Sequence, residues 1–380
     1  MKPVPAGGRK STEIALPFAD KNRRVAYHFQ MAAVAEAPVL LRREPGWIYN
    51  KSWDLSHIIL SSALVPMPFL FAWAAERTGW ISAKQAIDIM NILVGALVGG
   101  PHLFSTFTLT FLDRSFRRSH PLYTWMALLI PVAVVYFGVY HYTLLITFFF
   151  SWASLHVLHQ IIYLSDCYRS KNGSPDPLWS RVVDYGVILT GLYPIGMYKI
   201  SQGRFRVGGV LLPFPAFLRG LHLPELAGAV FFALLIVWIV KTAREIRERR
   251  NSGPKTLLIG ITSVVSFLLP MGSNLDILFQ GYNTWHSFQY LFLLWLVNRL
   301  RYQRGEIDNP FVLALARRRS MVPYYLCFLG ATGVTVIVTF IVRALTPLSA
   351  DQSYFVVILG ALLMHYYFDH FLFTRTEYVL

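Results

Sequence analysis

Charged residues are scarce in this chain: Asp, Glu, Lys and Arg make up 14% of its 380 residues, against about a quarter in soluble globular proteins. That is too little charge to coat a water-soluble fold, so soluble enzymes, disordered tails and fibrous repeats are excluded. Cysteine is nearly absent. Cys167 and Cys327 form no CxxC pair and no disulfide framework. No Lys/Arg stripe alternates with exposed aromatics, which argues against nucleic acid as a partner. The opening residues MKPVPAGGRKSTEIALPFADKNRR lack an apolar run, so no cleavable secretion signal is expected there.

Apolar residues dominate instead, at 55%, with a mean hydropathy of +0.46. Runs of about 20 apolar residues, enough to cross a bilayer, fall at 56–76, 86–113, 122–140, 142–168, 178–198, 223–243, 256–272, 277–299, 321–344 and 352–374. Pro270 and Gly272 leave open whether 256–299 is two spans or one broken helix. Pro194 and Gly196 blur the end of the fifth. The expected fold is all-α, a polytopic transmembrane helical bundle of about ten spans. A basic arm (1–50) precedes the helical domain (51–375), and a short tail (376–380) follows.

The net charge of +15 fits the excess of Lys and Arg in cytoplasmic loops. Basic residues crowd the arm and the loops after the second, sixth and eighth spans, for example Arg117, Arg118, Arg247, Arg250, Arg317 and Arg318. Loops after the first, third, seventh and ninth spans have few or none. The exception follows the fifth span, with Lys199, Arg204, Arg206 and Arg219. Both termini are therefore expected in the cytoplasm, the host membrane being the inner one if the source is bacterial.

Six of the eleven histidines lie in these spans or near their inner ends: His102, His156, His159, His286, His365 and His370. An ionisable residue inside a membrane is costly and points to function. A single one often only bonds a neighbouring helix, so the pattern counts for more. All six fall on even-numbered spans, which run in one direction. Apart from His370, they lie roughly 13–20 Å from the inner ends at 1.5 Å per residue. Imidazoles from four helices at one depth are what a metal or cofactor cage requires.

Each sits on a polar helix face of 3- and 4-residue steps. His156, His159, Gln160, Tyr163 and Asp166 share one stripe. Tyr282, Asn283, His286, Gln289 and Tyr290 share another. His365 and Asp369 pair on the last span, and His102, Thr106 and Asp113 on the second. Such neighbours fix the tautomer of ligating imidazoles. The expected ligands are His102, His156, His159, His286, His365 and Asp369. Asp166 is a further carboxylate ligand or partner, expected with Tyr163 and Tyr290 to serve catalysis, and Gln160 and Gln289 to support the cofactor. Pro101 frees a backbone carbonyl in mid-span beside His102.

Nitrogen and carboxylate donors without thiolate suit Fe, Zn, Cu or Mn. No HExxH motif is present, which disfavours a zinc hydrolase. One or two non-haem iron ions match the donor set. Haem between two facing histidines is the alternative cofactor, but it leaves the other histidines unused.

Histidines spread over many spans, Gly100-Pro101-His102 in one of them, and no HxxxH or HxxHH boxes of the desaturase kind together resemble the Brp/Blh family. Those proteins are membrane-embedded, iron-dependent carotene dioxygenases. The resemblance rests on the architecture and the Pro-His element, and implies iron and an apolar substrate.

The expected function is a membrane oxidoreductase that oxygenates, desaturates or cleaves a lipid or isoprenoid, with a possible redox donor as partner. Two rivals use the same residues. One is a proton-coupled transporter with a His/Asp relay, and the other is a haem electron-transfer protein.

Overall fold

The computed structural model describes residues 44–380 apart from 80, 174, 175, 208, 209, 220, 221 and 273. Residues 1–43 of the expected basic arm lie outside the described residues.

Among the described residues, thirteen helices longer than one turn follow in chain order. They are α1 (Lys51–Thr78), α2 (Lys84–Thr108), α3 (Arg114–Ser119), α4 (Pro121–Tyr140), α5 (Tyr142–Asn172), α6 (Leu178–Thr190), α7 (Tyr193–Ser201), α8 (Leu223–Arg247), α9 (Gly253–Met271), α10 (Leu275–Gln303), α11 (Pro310–Arg317), α12 (Val322–Leu345) and α13 (Ala350–Leu372). One antiparallel hairpin, β1 (Arg206–Val207) with β2 (Val210–Leu211), interrupts them; Arg206 faces Leu211 and Val207 faces Val210. Side-chain caps set several helix starts, since the first N–H groups of a helix lack internal partners. Ser349 and Gln352 form a reciprocal capping box on α13, and Asn274 accepts from the backbone of Asp276 and Ile277 at the head of α10.

Among the described residues, eight helices are long and apolar enough to cross a membrane: α1, α2, α4, α5, α8, α9, α12 and α13. The chain thus has the helical-bundle fold of an integral membrane protein. Two of the ten expected spans fall outside this set. The fifth breaks after Thr190 and restarts as α7 with Pro194 in its first turn, where a missing N–H costs nothing. The eighth is α10. It runs 29 residues, but its stripe of Gln, Asn, Thr, His and Ser lowers its hydropathy. More than half of its residues are buried, because the other helices wrap around it. Between α9 and α10 the helical ladder stops at Met271 and resumes at Leu275, so 256–299 forms two helices.

The main core joins α5, α9 and α10 to α1, with Leu158, Ile161, Leu164, Trp285 and Leu296 fully or nearly fully buried. Close approach relies on two glycines. A β-carbon at Gly281 would strike the Val65 carbonyl of α1, and one at Gly100 would strike the Thr332 side chain of α12. In contrast, α8 and α12 expose Ile236, Ile239, Ile337 and Phe340 outward. Such a surface is a liability in water and suits lipid. Residues at both ends of the described chain pack onto the body. Asp54 of α1 accepts from the backbone N–H of Ile48 at 2.7 Å and Tyr49 at 3.1 Å, and Val379 is fully buried.

A buried ionic cluster ties the ends of α5, α6, α8 and α9 together. Asp184 is fully buried at its centre. It meets Lys241 at 2.5 Å, Arg169 at 2.9 Å and Lys255 at 3.2 Å. Asp176, in the loop before α6, meets Arg169 at 2.9 Å and Lys255 at 3.0 Å.

Burial pushes the Asp176 carboxyl upward, but hydrogen bonds and charge from Lys255 and Arg169 outweigh it and hold the group below its ordinary range. A depressed folded value means the stabilisation is complete above the unfolded value of about 3.9 and disappears as pH falls through the folded one. Asp176→Asn is therefore expected to lower stability by about 1.5–3 kcal/mol at neutral pH. It should cost nothing at a pH below the folded value. Melting curves of both proteins in detergent from pH 7 downward check this; a gap that persists at the acid end would contradict it.

Candidate metal centre

Helix α2 reaches the middle of the bundle with irregular winding. Its ladder is α-helical to Val94, widens to i→i+5 over Gly95–Gly99, and tightens again at Thr106–Thr108. Pro101 has no N–H to give, and the Leu97 carbonyl it would have bonded accepts from the Tyr325 hydroxyl at 2.9 Å. The Gly99 carbonyl lies 2.5 Å from His102 Nδ1. A carbonyl can only accept, so Nδ1 carries the proton and Nε2 keeps its lone pair.

On α13, His365 Nδ1 lies 2.5 Å from the Thr106 hydroxyl, which donates onward to Asp369 Oδ1 at 3.3 Å. Tyr290 of α10 donates to the same oxygen at 2.5 Å. These bonds leave His365 Nε2 and Asp369 Oδ2 facing inward. From α5, His156 stacks on Tyr366 with ring centroids 3.9 Å apart, and its Nε2 lies 3.7 Å from Asp369 Oδ2. His286 of α10 completes the group.

The four imidazoles meet edge to face. Centroids are 4.7 Å apart for His102–His365, 5.0 Å for His156–His286, 5.1 Å for His156–His365 and 5.2 Å for His102–His286. None of the five side chains is more than 4% exposed. His102 Nε2, His156 Nε2, both ring nitrogens of His286, His365 Nε2 and Asp369 Oδ2 have no hydrogen-bond partner. An unmet buried polar atom costs about 1–3 kcal/mol, and each of these five side chains carries at least one. A cation satisfies lone pairs of that kind, one from each neutral imidazole. Two triads have ligand atoms within 4.8 Å of one another: His102, His286 and His365, and His156, His365 and Asp369. With metal–ligand bonds of about 2.0–2.2 Å, three donors on one ion stand about 3.0–3.5 Å apart, so each triad would draw together around an ion.

Not every expected residue joins this centre. His159 is three residues from His156, about 60° off its face. Its ring packs against His370 and Phe373 at 5.7 and 5.3 Å, and it belongs to neither triad. Asp166 lies ten residues beyond His156, about 15 Å along α5. There it pairs with Arg169 and accepts from Tyr185 at 2.7 Å. Asp113 caps α3 and pairs with Arg301. Tyr163 lies against Phe373 and near the Arg375 carbonyl at 3.4 Å. Gln160 bonds Gln289 at 3.0 Å, and Gln289 bonds the Ile58 carbonyl at 2.5 Å. The two amides thus join α5, α10 and α1 rather than face the imidazoles. Tyr290 does stand in the centre. The stack of Tyr366 on His156 was not foreseen, because only the register between α5 and α13 reveals it.

A cavity of about 480 Å³ reaches this centre, with His286 and Tyr366 on its wall. Phe150, Leu155, Leu192, Met197, Phe214 and Phe279 make most of it apolar. No known protein family, curated protein or solved structure matches the chain.

Proposed function

We propose that the protein is a multi-pass membrane metalloenzyme whose four imidazoles and Asp369 hold non-haem iron, and that it oxidises a lipid or isoprenoid substrate. The observation that carries this reading is the convergence of unpartnered, fully buried donor atoms at the end of an apolar cavity. Two His and one carboxylate, as in the triad of His156, His365 and Asp369, is the ligand pattern of non-haem Fe(II) oxygenases. The iron and apolar substrate also accord with the Brp/Blh resemblance.

Iron held there would supply O₂-dependent oxidation of a C–H or C=C bond. The chain's own residues do the rest. Gly99 and the Thr106–Tyr290–Asp369 bonds orient the imidazoles and fix their tautomers. Packed aromatics exclude bulk water, and the cavity lays an apolar chain against His286. The basic loops mark the cytoplasmic side. The broken pair α6–α7 and α10 add two crossings to the eight long apolar helices, so both ends of the helical domain face the cytoplasm, and α10 crosses at the centre, screened from lipid by its neighbours.

Two observations favour this over the rivals. Ring centroids near 5 Å are direct contact distances, so no flat macrocycle fits between the histidines. No hydrogen bond links the four imidazoles among the described residues, whereas a proton relay passes protons along such bonds. Elemental analysis and a visible spectrum of detergent-purified protein test the reading. Stoichiometric iron without a Soret band is expected. A Soret band would assign haem, and failure to retain any transition metal after anaerobic loading with ferrous ion would end the proposal.

A further inference from the structure

The cavity has a second distinctive end. Its far wall is built by the β1–β2 hairpin and its flanks, through Phe205, Val207, Phe214 and Leu218. Strand alternation separates two faces here. Val207 and Val210 are partly covered, while Arg206 and its partner Leu211 are exposed. Phe205 packs on Phe214 at 5.2 Å, which holds the two flanks together. Three cations neighbour lining residues along the chain: Arg204 before Phe205, Arg219 after Leu218, and Arg206 before Val207, the last starting from the outer face of the hairpin. All three are exposed, and none has an ion-pair partner among the described residues. Lys199 differs, because its ammonium already donates to the Gly272 carbonyl at 2.6 Å.

This basic group stands at the end of α10 where Leu275, Leu278 and Phe279 line the cavity. The other basic loops lie toward the opposite end, beyond Arg299 and Arg301 of the same helix. The excess of Lys and Arg in cytoplasmic loops therefore does not account for it. An apolar tube with a polar catalytic wall at one end and unpaired guanidinium groups at the other is complementary to one kind of molecule.

We infer that the occupant is a single-chain lipid with an anionic head, a carboxylate or phosphate monoester, held by Arg204, Arg206 and Arg219 with its chain running inward to His286. Guanidinium matches both head groups as a paired donor. The thermodynamic drive comes from burying the chain, and the arginines set polarity and register. The substrate thereby enters tail first and is oxidised on its chain, away from the head. This deepens the reading of a lipid-oxidising centre and rests on it.

The test uses the full-length protein in nanodiscs of zwitterionic lipid at pH 8, with palmitate, hexadecyl phosphate, hexadecanol and inorganic phosphate as probes. Near a membrane surface each basic residue contributes about fivefold to the binding of an anionic partner. Palmitate and hexadecyl phosphate are expected to bind on the order of 100-fold more tightly than hexadecanol. The triple variant R204Q/R206Q/R219Q should lose that advantage and bind hexadecanol as before. Gly196→Phe should weaken all three chain-bearing probes, because a side chain there meets open cavity and nothing within 4 Å. Equal palmitate affinity in the triple variant and the parent would overturn the proposal. So would inorganic phosphate that binds as tightly as hexadecyl phosphate, which would assign the arginines to a free anion. Metal content is read on the same samples. Lipid binding with the expected head-group preference in a protein that never holds metal would remove the catalytic reading and leave the lipid site standing.

Discussion

His365→Ala is expected to abolish binding of the iron proposed above. His365 is the one imidazole shared by both donor triads, so its loss leaves neither intact. The damage should exceed the roughly 10–100-fold loss of affinity that follows removal of an outer hydrogen-bond partner. Tyr290→Phe provides that comparison, since it deletes only the donor to Asp369 Oδ1. A bound metal at 100 times its dissociation constant stabilises the fold by about 2.7 kcal/mol. Added ferrous ion should therefore raise the melting temperature of the parent and leave His365→Ala unmoved. Retention of stoichiometric metal by His365→Ala would remove this histidine from the ligand set and break both triads at once.

The second large effect lies far from the imidazoles. Asp184→Ala leaves Lys241 with Glu245 alone among the described anions, at 3.4 Å, and takes one contact each from Arg169 and Lys255 in a largely buried cluster. Removing one member of a buried ion network typically costs about 3–5 kcal/mol, because buried charge is left under-compensated. The same principle gives the control. Replacing Asp184 and Lys241 together with Leu and Met is expected to recover much of the loss, since apolar groups of similar volume carry no desolvation penalty. Unfolding by SDS or heat distinguishes the three proteins. A single variant as stable as the parent would mean that solvent reaches the cluster and screens it.

Much of the bundle is legible in the order of residues, because spanning length and hydropathy are local properties. The exceptions share a physical cause. Helix α10 is screened by its neighbours and is thereby free to be polar, so hydropathy alone does not mark it. At 178–201 an adequate apolar content is cut by Gly191 and Pro194, which act through backbone geometry. The site divides along similar lines. Four-residue spacing correctly places His365 with Asp369, and His286 with Tyr290, on common faces. It says nothing of depth. The stripe on α5 runs the full length of the helix, whereas an ion spans only a few ångströms. His156 therefore belongs to the centre and Asp166 does not. His159 shows the limit of the three-residue step, since about 60° of rotation is enough to point a ring at a different neighbour. The roles of Thr106 and Tyr366 depend on contacts between helices and are invisible in any single segment.

The widened winding at Gly95–Gly99 carries a consequence for how this helix tolerates change. An i→i+5 turn accommodates one residue more than a regular turn would. Deleting any one of these five would let the ladder close normally and would barely alter the apolar length of α2. Four residues at about 100° each cover nearly the arc that five cover in the widened turn, so His102 would keep its phase relative to residues 84–94. The extra residue is thus absorbed locally. A one-residue deletion within Gly95–Gly99 should leave a protein that inserts normally and keeps its imidazole aligned, whereas a deletion in the regular winding before it would turn His102 by about 100°.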